Sequence, residues 1–304
     1  MNRLLGLMLI GSYLGATAYL GDFEELPISA RALALGNSLV GSATDATAIY
    51  YNPGLTSLIS TRQLSLSYGR FYEKGIVKNS FIGFVQPEKN FNYGIGLFSN
   101  WISDIQITNV PNPNLPPGPD NQPYVERTVT ASDWVLYLNY ARKIYNFISL
   151  GTNLKFIYRY LGIGYGLGTG FDFGVGLVLS DLTLVGVKAQ NLSIAPIYWS
   201  NRTTEFIIPK ISLGFSHIIP SQTSNLLLTA NCEYVIENGQ LKTNFGLEYQ
   251  YKNLWILRGG LMNYVPTFGV GIKYKRLYFD YGFGTQLNQA KLGNIHKLSG
   301  GVTF

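Results

Sequence analysis

The stretch "LKTNFGLEYQY" (Leu241–Tyr251) has a period of two. Leu241, Thr243, Phe245, Leu247, Tyr249 and Tyr251 fall on one face; Lys242, Asn244, Gly246, Glu248 and Gln250 fall on the other. Successive side chains of a strand point to opposite faces, so the pattern predicts a strand held between two different environments. "FISLGTNLKFIYRY" (147–160) repeats it, with Ile148, Leu150, Thr152, Leu154, Phe156 and Tyr158 opposing Ser149, Gly151, Asn153, Lys155 and Arg159. In "TFGVGIKYK" (267–275), Phe268, Val270, Ile272 and Tyr274 oppose Gly269, Gly271, Lys273 and Lys275. From Arg62 onward, such alternation predicts fourteen strands: 62–71, 78–86, 91–105, 128–142, 146–160, 165–179, 182–190, 207–217, 225–236, 240–251, 254–262, 266–275, 277–285 and 296–304.

What the two faces meet follows from their chemistry. The apolar face is rich in Tyr, Phe and Trp, and the other carries mostly Gly, Ser, Thr and Asn with few charges. Of the 304 residues, 46% are hydrophobic, 14% aromatic and only 13% charged. Average soluble domains carry about 25% charged residues, so a soluble β-sandwich with a charged exterior fits poorly. Most of the strands approach the ~9–11 residues that cross a bilayer at a tilt. Tight turns follow most even-numbered strands. The longest connections, "ITNVPNPNLPPGPDNQPYVER" (107–127), "NLSIAPIYWSNRTTE" (191–205) and "QLNQAKLGNI" (286–295), follow odd-numbered ones. Short turns at one rim and long loops at the other are the pattern of an outer-membrane barrel. A sheet in lipid must also close, because an open edge leaves backbone groups unpaired. The fold expected is therefore an all-β, transmembrane antiparallel β-barrel over residues 62–304.

Other classes fall away. "MNRLLGLMLIGSYLGATA" (1–18) has a basic Arg3, a short apolar run and an A-x-A ending, the pattern of a signal peptide cleaved after Ala18. A single Cys232 leaves no intramolecular disulfide and no Cys-cluster metal site. The net charge of +6 is spread over scattered Lys and Arg rather than one face, so no nucleic-acid partner is expected. No nucleotide or other cofactor motif, metal-ligand set or catalytic constellation is present. His217 and His296 lie on separate strands, and Ser299, three residues from His296, falls on the opposite face of its strand. The protein is not expected to be an enzyme.

The polar face supplies the lumen-facing candidates: Lys155, Arg159, Lys210, Lys242, Arg258 and Lys273, against Asp172, Glu233, Glu248 and Asp280. They are expected to pair across the lumen. In "GIGYGLGTGFDFGVGL" (162–177), Gly162, Gly164, Gly166, Gly168, Gly170, Gly174 and Gly176 share the inward face of Asp172. Either a ligand path runs there or something packs against the wall, or the strand is sharply curved.

The segment before the barrel, "SARALALGNSLVGSATDATAIYYNPGLTSL" (29–58), is punctuated differently. Asp45 is expected to cap a short helical turn and Pro53 to end it by pushing Asn52 out of helical geometry. Ala30, Arg31, Ala32, Leu33, Gly36, Asp45, Ala46, Ala48, Asn52, Pro53 and Gly54 resemble the N-terminal signature of the PorV/PorQ family, which belongs with the FadL-like fatty-acid transporters. "FDFGVGLVLSDLTLVGVKAQNL", "IIPKISLGFSH", "NFGLEYQYKNLWILRGGL" and "LGNIHKLSGGVTF" follow the family's course in order. The resemblance implies a fourteen-stranded barrel in the bacterial outer membrane, with residues 19–61 entering the lumen as a plug whose motif is Arg31, Gly36, Asp45, Asn52, Pro53 and Gly54. Fourteen strands enclose more space than side chains alone fill. The functional expectation is passive passage of small hydrophobic or amphipathic molecules, with the bilayer and such a ligand as partners. The alternatives are a type IX secretion component or shuttle binding secreted protein cargo, and a structural envelope protein.

Overall fold

The computed structural model describes residues 22–72, 75–192, 194–285 and 293–304. The expected leader (1–18) and the first residues of the expected plug (19–21) lie outside them.

Sixteen strands are formed by the described residues: β1 (Gln63–Phe71), β2 (Val77–Pro87), β3 (Asn92–Asn109), β4 (Tyr124–Tyr145), β5 (Ile148–Tyr160), β6 (Tyr165–Ser180), β7 (Thr183–Gln190), β8 (Ala195–Trp199), β9 (Thr204–Ile207), β10 (Lys210–Pro220), β11 (Ser224–Val235), β12 (Gln240–Tyr251), β13 (Trp255–Met262), β14 (Val265–Tyr274), β15 (Leu277–Gly284) and β16 (Ile295–Thr303). Fourteen of them, all but β8 and β9, make an antiparallel ring. β1 pairs with both β2 and β16, and β5 pairs with β6 from Ile148↔Leu177 to Tyr160↔Tyr165, which closes the barrel. Closure leaves no open edge, as lipid demands. The fourteen strands expected from alternation are these fourteen.

The alternation has a direct structural reading. On β12, Phe245 and Leu247 stand 50% and 53% exposed while Asn244 and Gly246 are buried, so the apolar face is the outside. Trp134, Phe215, Phe268 and Phe279 are likewise exposed on the exterior. Tight turns with two successive positive-φ residues, Lys252-Asn253 in the three-residue β12–β13 connection and Asn263-Tyr264 in the two-residue β13–β14 connection, join these strands. That backbone twist matches paired strands.

Two features go beyond the alternation. β3 and β4 pair out to Asn109↔Tyr124, although β2 leaves β3 at Ile102 and β5 leaves β4 at Ser132. Their far halves thus form a two-stranded ribbon above the long-loop rim. Its Pro-rich tip is organised around Asn121, whose Nδ2 donates to the carbonyls of Asn112 and Leu115 at 3.0 and 2.9 Å. The second is the hairpin β8–β9, in a stretch expected to be an irregular loop. It pairs with β6 at Gly166–Gly168 and turns Ala195, Ile197 and Ile207 into the same buried cluster as Phe23.

The core of this protein is its lumen. Residues 23–59 are buried almost throughout, against inward-facing side chains of strands all around the ring. The inner faces of β2 to β5 are apolar as well as polar: Phe81, Phe98, Val135, Tyr137 and Ile157 point inward and pack with Tyr50, Ile49 and Phe23.

Candidate functional site

The N-terminal segment is built from short turns. Asp22–Glu25 and Pro53–Leu58 are 3-10 turns, and Ala30–Ala34 and Ala48–Tyr51 are α-helical. Ser29 caps the first helix, its Oγ accepting from Ala32 N at 3.1 Å. The helix ends in a Schellman closure: Asn37 N donates to Ala32 O at 2.7 Å and Gly36 N to Leu33 O at 3.1 Å, with Gly36 at φ +64°. Gly36 serves a second purpose, since a Cβ there would lie 2.5 Å from the Leu261 carbonyl of β13.

Asp45 caps the short helical turn that leads into the second helix: its carbonyl accepts from Ala48 N at 2.9 Å and its carboxylate from Thr47 N at 2.9 Å. The residue next to the α-helical turns themselves is Thr47, which makes no side-chain capping bond. Asn52 does leave helical geometry, at φ −160°. Its amide then makes three bonds: Oδ1 accepts from Gly54 N at 3.0 Å, and Nδ2 donates to Val40 O and to Val175 O of β6, both at 2.9 Å. Pro53 and Gly54 press against the wall at two glycines. A Cβ on Gly151 would lie 2.2 Å from Pro53 O, and one on Gly174 would lie 2.2 Å from Asn52 Oδ1. The inward glycines of β6 therefore divide. Gly174 and Gly176 meet Asn52 and Leu55, while Gly166 and Gly168 meet Ile197 of the hairpin. Gly162, at φ +79°, and Gly164 precede the strand and belong to a turn, not to its face.

Three charged nodes fix the segment to the wall. In the first, Glu24 accepts from Lys155 Nζ at 2.8 Å, from Tyr137 Oη at 3.0 Å and from Asn191 Nδ2 at 3.1 Å. Lys155 also pairs with Asp172 at 3.0 Å, and all three charged side chains are fully buried. In the second, Glu25 bridges Lys210 at 2.7 Å and Lys242 at 2.6 Å. In the third, Arg31 and Arg258 share Glu248 Oε2 at 2.9 and 2.6 Å, and Arg258 reaches Asp280 at 2.6 Å. Removing charges from water is tolerable only when partners and hydrogen bonds satisfy them, and here they are satisfied. Arg159 pairs with Asp133 on the neighbouring strand β4 and covers the ring of Phe23, 4.6 Å from its centroid. Lys273 shares the parity of inward Gly271 but stands exposed at the short-turn rim, outside these nodes. The expected pairing across the lumen is not what forms: among the described residues the wall charges pair with the segment that fills the lumen or with strands one or two places along the wall, as Arg258 does with Glu248 of β12 and Asp280 of β15.

Alternation could not reveal Glu24 and Glu25, which sit in a short turn without periodicity. One signal was available. Of the wall charges that parity assigns inward, five cations apart from Lys273 face four acids, and that excess calls for anions inside the lumen. The two tyrosines of "AIYYNP" are structural too. Tyr51 Oη accepts from Ile28 N at 3.0 Å and donates to Asn37 Oδ1 at 2.9 Å, and Lys188 Nζ donates to Tyr50 O at 2.6 Å. His296 bonds Tyr281 Oη on the outer face, whereas Ser299 Oγ accepts from Ala30 N inside, so the two cannot act together.

Between the first two nodes, toward the long-loop rim, lies a cavity of about 250 Å³. Its lining is mixed: Leu26, Val40, Phe71 and Met262 beside Glu25, Lys188, Asn231 and Lys242. Asn231 Oδ1 is buried there with no hydrogen-bond partner among the described residues. The volume exceeds the roughly 150 Å³ of an apolar cavity that holds benzene, so a small ligand with one polar end fits both size and lining.

No protein-family model matches this chain, and no curated protein matches it. Solved structures do. The chain is similar to the toluene transporter TodX of Pseudomonas putida (TM-score 0.59, 12% identity, covering 90% of this chain and 96% of that one). It is also similar to the toluene transporter TbuX of Ralstonia pickettii (TM-score 0.58, 13% identity, 91% and 98%) and to a FadL homologue of Pseudomonas aeruginosa (TM-score 0.56, 12% identity, 92% and 99%). At such identity the likeness is one of fold: a FadL-like barrel over nearly the whole of both chains.

Proposed function

We propose that the protein is a channel of the bacterial outer membrane, admitting small hydrophobic or amphipathic molecules passively, with residues 19–61 as its plug. The observation that carries this reading is the lumenal cavity beside the Glu24 and Glu25 nodes, half apolar and half polar, at the long-loop end of an otherwise filled barrel. The names of the structural neighbours, toluene transporters among them, support the solute class. A solute entering from the long-loop rim would rest in the cavity with its polar end toward Asn231 and Lys188. Onward passage requires the segment to shift, because its backbone lies against the wall glycines.

The test is uptake. Liposomes containing the purified barrel should take up toluene or a medium-chain fatty acid faster than empty liposomes, and filling the cavity with Val40→Trp should slow the uptake. Uptake equal to that of empty liposomes overturns the proposal.

The PorV/PorQ resemblance supports a second reading, a shuttle for type IX secretion cargo. One structural feature favours it: the β3–β4 ribbon projects past both neighbouring strands with Leu115 and Tyr124 exposed, a surface on which cargo could dock. Capture of a secreted protein's C-terminal domain, abolished by deleting residues 106–127, tests it. Unimpaired secretion in a strain lacking the gene overturns it.

A further inference from the structure

The exterior wall carries several hollows, and one of them combines an apolar lining with a basic lip. Over the half of the wall nearer the short turns, β13 to β16 with β1 and β2 enclose an open concavity of about 1080 Å³. Leu66, Leu257, Ile272, Phe279 and Leu298 line it. Gly300, paired with Leu66 on one side and Phe279 on the other, adds no side chain between them and so deepens it.

Its lip at the short-turn rim is basic. Arg62 precedes β1, Lys252 lies in the β12–β13 turn, Lys273 ends β14, and Lys275 and Arg276 form the β14–β15 turn. All five are exposed, and none is in an ion pair among the described residues. Arg62 bonds only a neutral partner, Gln86, at 2.6 Å. The Nζ atoms of Lys252 and Lys275 lie 5.3 and 5.4 Å from the ring centroids of the adjacent Tyr251 and Tyr274, which orients them at the level of the aromatic belt. The acidic side chains of the same rim, Glu88 and Asp181, belong to the β2–β3 and β6–β7 turns and not to this arc; Phe304, whose N donates to Arg62 O at 2.9 Å, brings one carboxylate to its Arg62 end, away from Lys252.

We propose that this hollow is a binding site for one anionic glycerophospholipid of the leaflet at the short-turn rim. Its acyl chains lie along Leu66, Leu257 and Phe279, and its phosphate sits among Lys252, Lys275 and Arg276. The charge complementarity selects the occupant. Unpaired cations at a membrane surface attract anionic headgroups, and an apolar hollow directly above them takes the chains. A zwitterionic lipid fits the hollow but loses the net attraction. The proposal rests on the reading of the exterior as bilayer-facing and does not depend on what the lumen carries.

The test is native mass spectrometry of the full-length barrel in detergent, titrated with phosphatidylglycerol or phosphatidylcholine. Each variant is first checked for the heat-modifiable gel mobility of a folded barrel. Wild type should bind one phosphatidylglycerol saturably, in preference to phosphatidylcholine, and the preference should shrink as salt rises. Combined Lys252→Gln, Lys275→Gln and Arg276→Gln should weaken phosphatidylglycerol about a hundredfold. Gly300→Leu should weaken both lipids while leaving every charge in place. Arg142→Gln with Lys143→Gln, at the short-turn end of β4 and away from the hollow, should change nothing. If the triple variant fails to fold, Arg276→Gln alone should cost about fivefold. Equal binding of the two lipids, or equal losses in the rim and control variants, overturns the site. A barrel that also inserts into neither kind of liposome overturns the bilayer reading beneath it, a result distinct from loss of the site alone.

Discussion

Arg31 of the lumenal segment and Glu248 of the wall are 2.9 Å apart, Nε to Oε2, and they meet 217 positions apart in the chain. Arg258 holds the same carboxylate oxygen and also Asp280, so two cations and two anions balance inside the barrel. Arg31→Met would leave that group with one uncompensated negative charge. Losing hydrogen bonds to a charged group costs about 1.5–3 kcal/mol. The expected outcome is a lower thermal unfolding midpoint and a higher resting conductance in planar bilayers. Because Glu248 is what Arg31 binds, adding Glu248→Gln to Arg31→Met should cost less than the sum of the two single changes. Additive losses would mean that the pair does not anchor the segment.

A second prediction concerns backbone contact. A Cβ on Gly174 would lie 2.2 Å from Asn52 Oδ1, and one on Gly54 would lie 2.6 Å from the Gly174 carbonyl. Neither neighbour is the far end of a flexible chain, so Gly174→Ala or Gly54→Ala must push the segment off β6. Overpacking of this kind costs about 1–3 kcal/mol. Gly259→Ala is the control, since nothing lies within 4 Å of the added carbon. Calorimetry should show the first two variants destabilised and the control unchanged.

How far these features could be read from sequence depended on periodicity. A wall strand has lipid on one side and the lumen on the other, so it carries a two-residue signal over ten or so positions, and strand ends such as those of β12 at 240 and 251 came out directly. The hairpin β8–β9 was hidden because its strands run only five and four residues, Ala195–Trp199 and Thr204–Ile207, around a Ser-Asn-Arg-Thr turn. The nodes were half legible. Parity selects Lys155, Glu248 and Arg258, but their partners Glu24 and Arg31 lie in turns of four or five residues, too short for any period to show. Asp45 was legible as a cap because the signal is local: a carboxylate ahead of a short turn accepts that turn's second backbone N–H, here Thr47 N at 2.9 Å.

Acid should loosen the first two nodes. Burial alone would raise the Glu24 carboxyl, but the charge and hydrogen bond of Lys155 and the hydrogen bond of Asn191 outweigh it and lower it from 4.5 to about 2. Burial opposes Glu25 in the same way, and Lys210 and Lys242 bring it below its ordinary value. With the seated pKa below the unseated one, the unseated segment binds more protons, so seating strengthens as pH rises. The contribution is fully present above about pH 4.5 and is lost as pH falls toward 2. Bilayer conductance should therefore stay at its resting value from pH 7 to 5 and climb below pH 4.5. Glu24→Gln with Glu25→Gln should raise the resting value and flatten the profile. A profile unchanged by the double substitution would show that these carboxylates do not hold the segment.

The remaining question is whether the segment gates the barrel or only fills it, and Asn52 separates the two. Its amide ties the segment to itself through Val40 O and Gly54 N and to the wall through Val175 O. Asn52→Ala leaves those buried carbonyls short of a donor, at a cost of about 1–3 kcal/mol, while the three charged nodes stay intact. A filler loosened at this point produces a constant leak: conductance rises, and uptake of charged dyes and of toluene rises together. A gate loosened at the same point shifts an equilibrium between seated and displaced states. Toluene uptake then rises at low solute and converges on wild type at high solute, while charged dyes remain excluded. Replacing Asn52 and Pro53 together with Ala should exaggerate whichever behaviour the single change shows, because the Pro53 ring also lies against Gly174 of β6 and fixes the backbone of the turn. Uptake and conductance both equal to wild type in the double variant would assign the segment neither role.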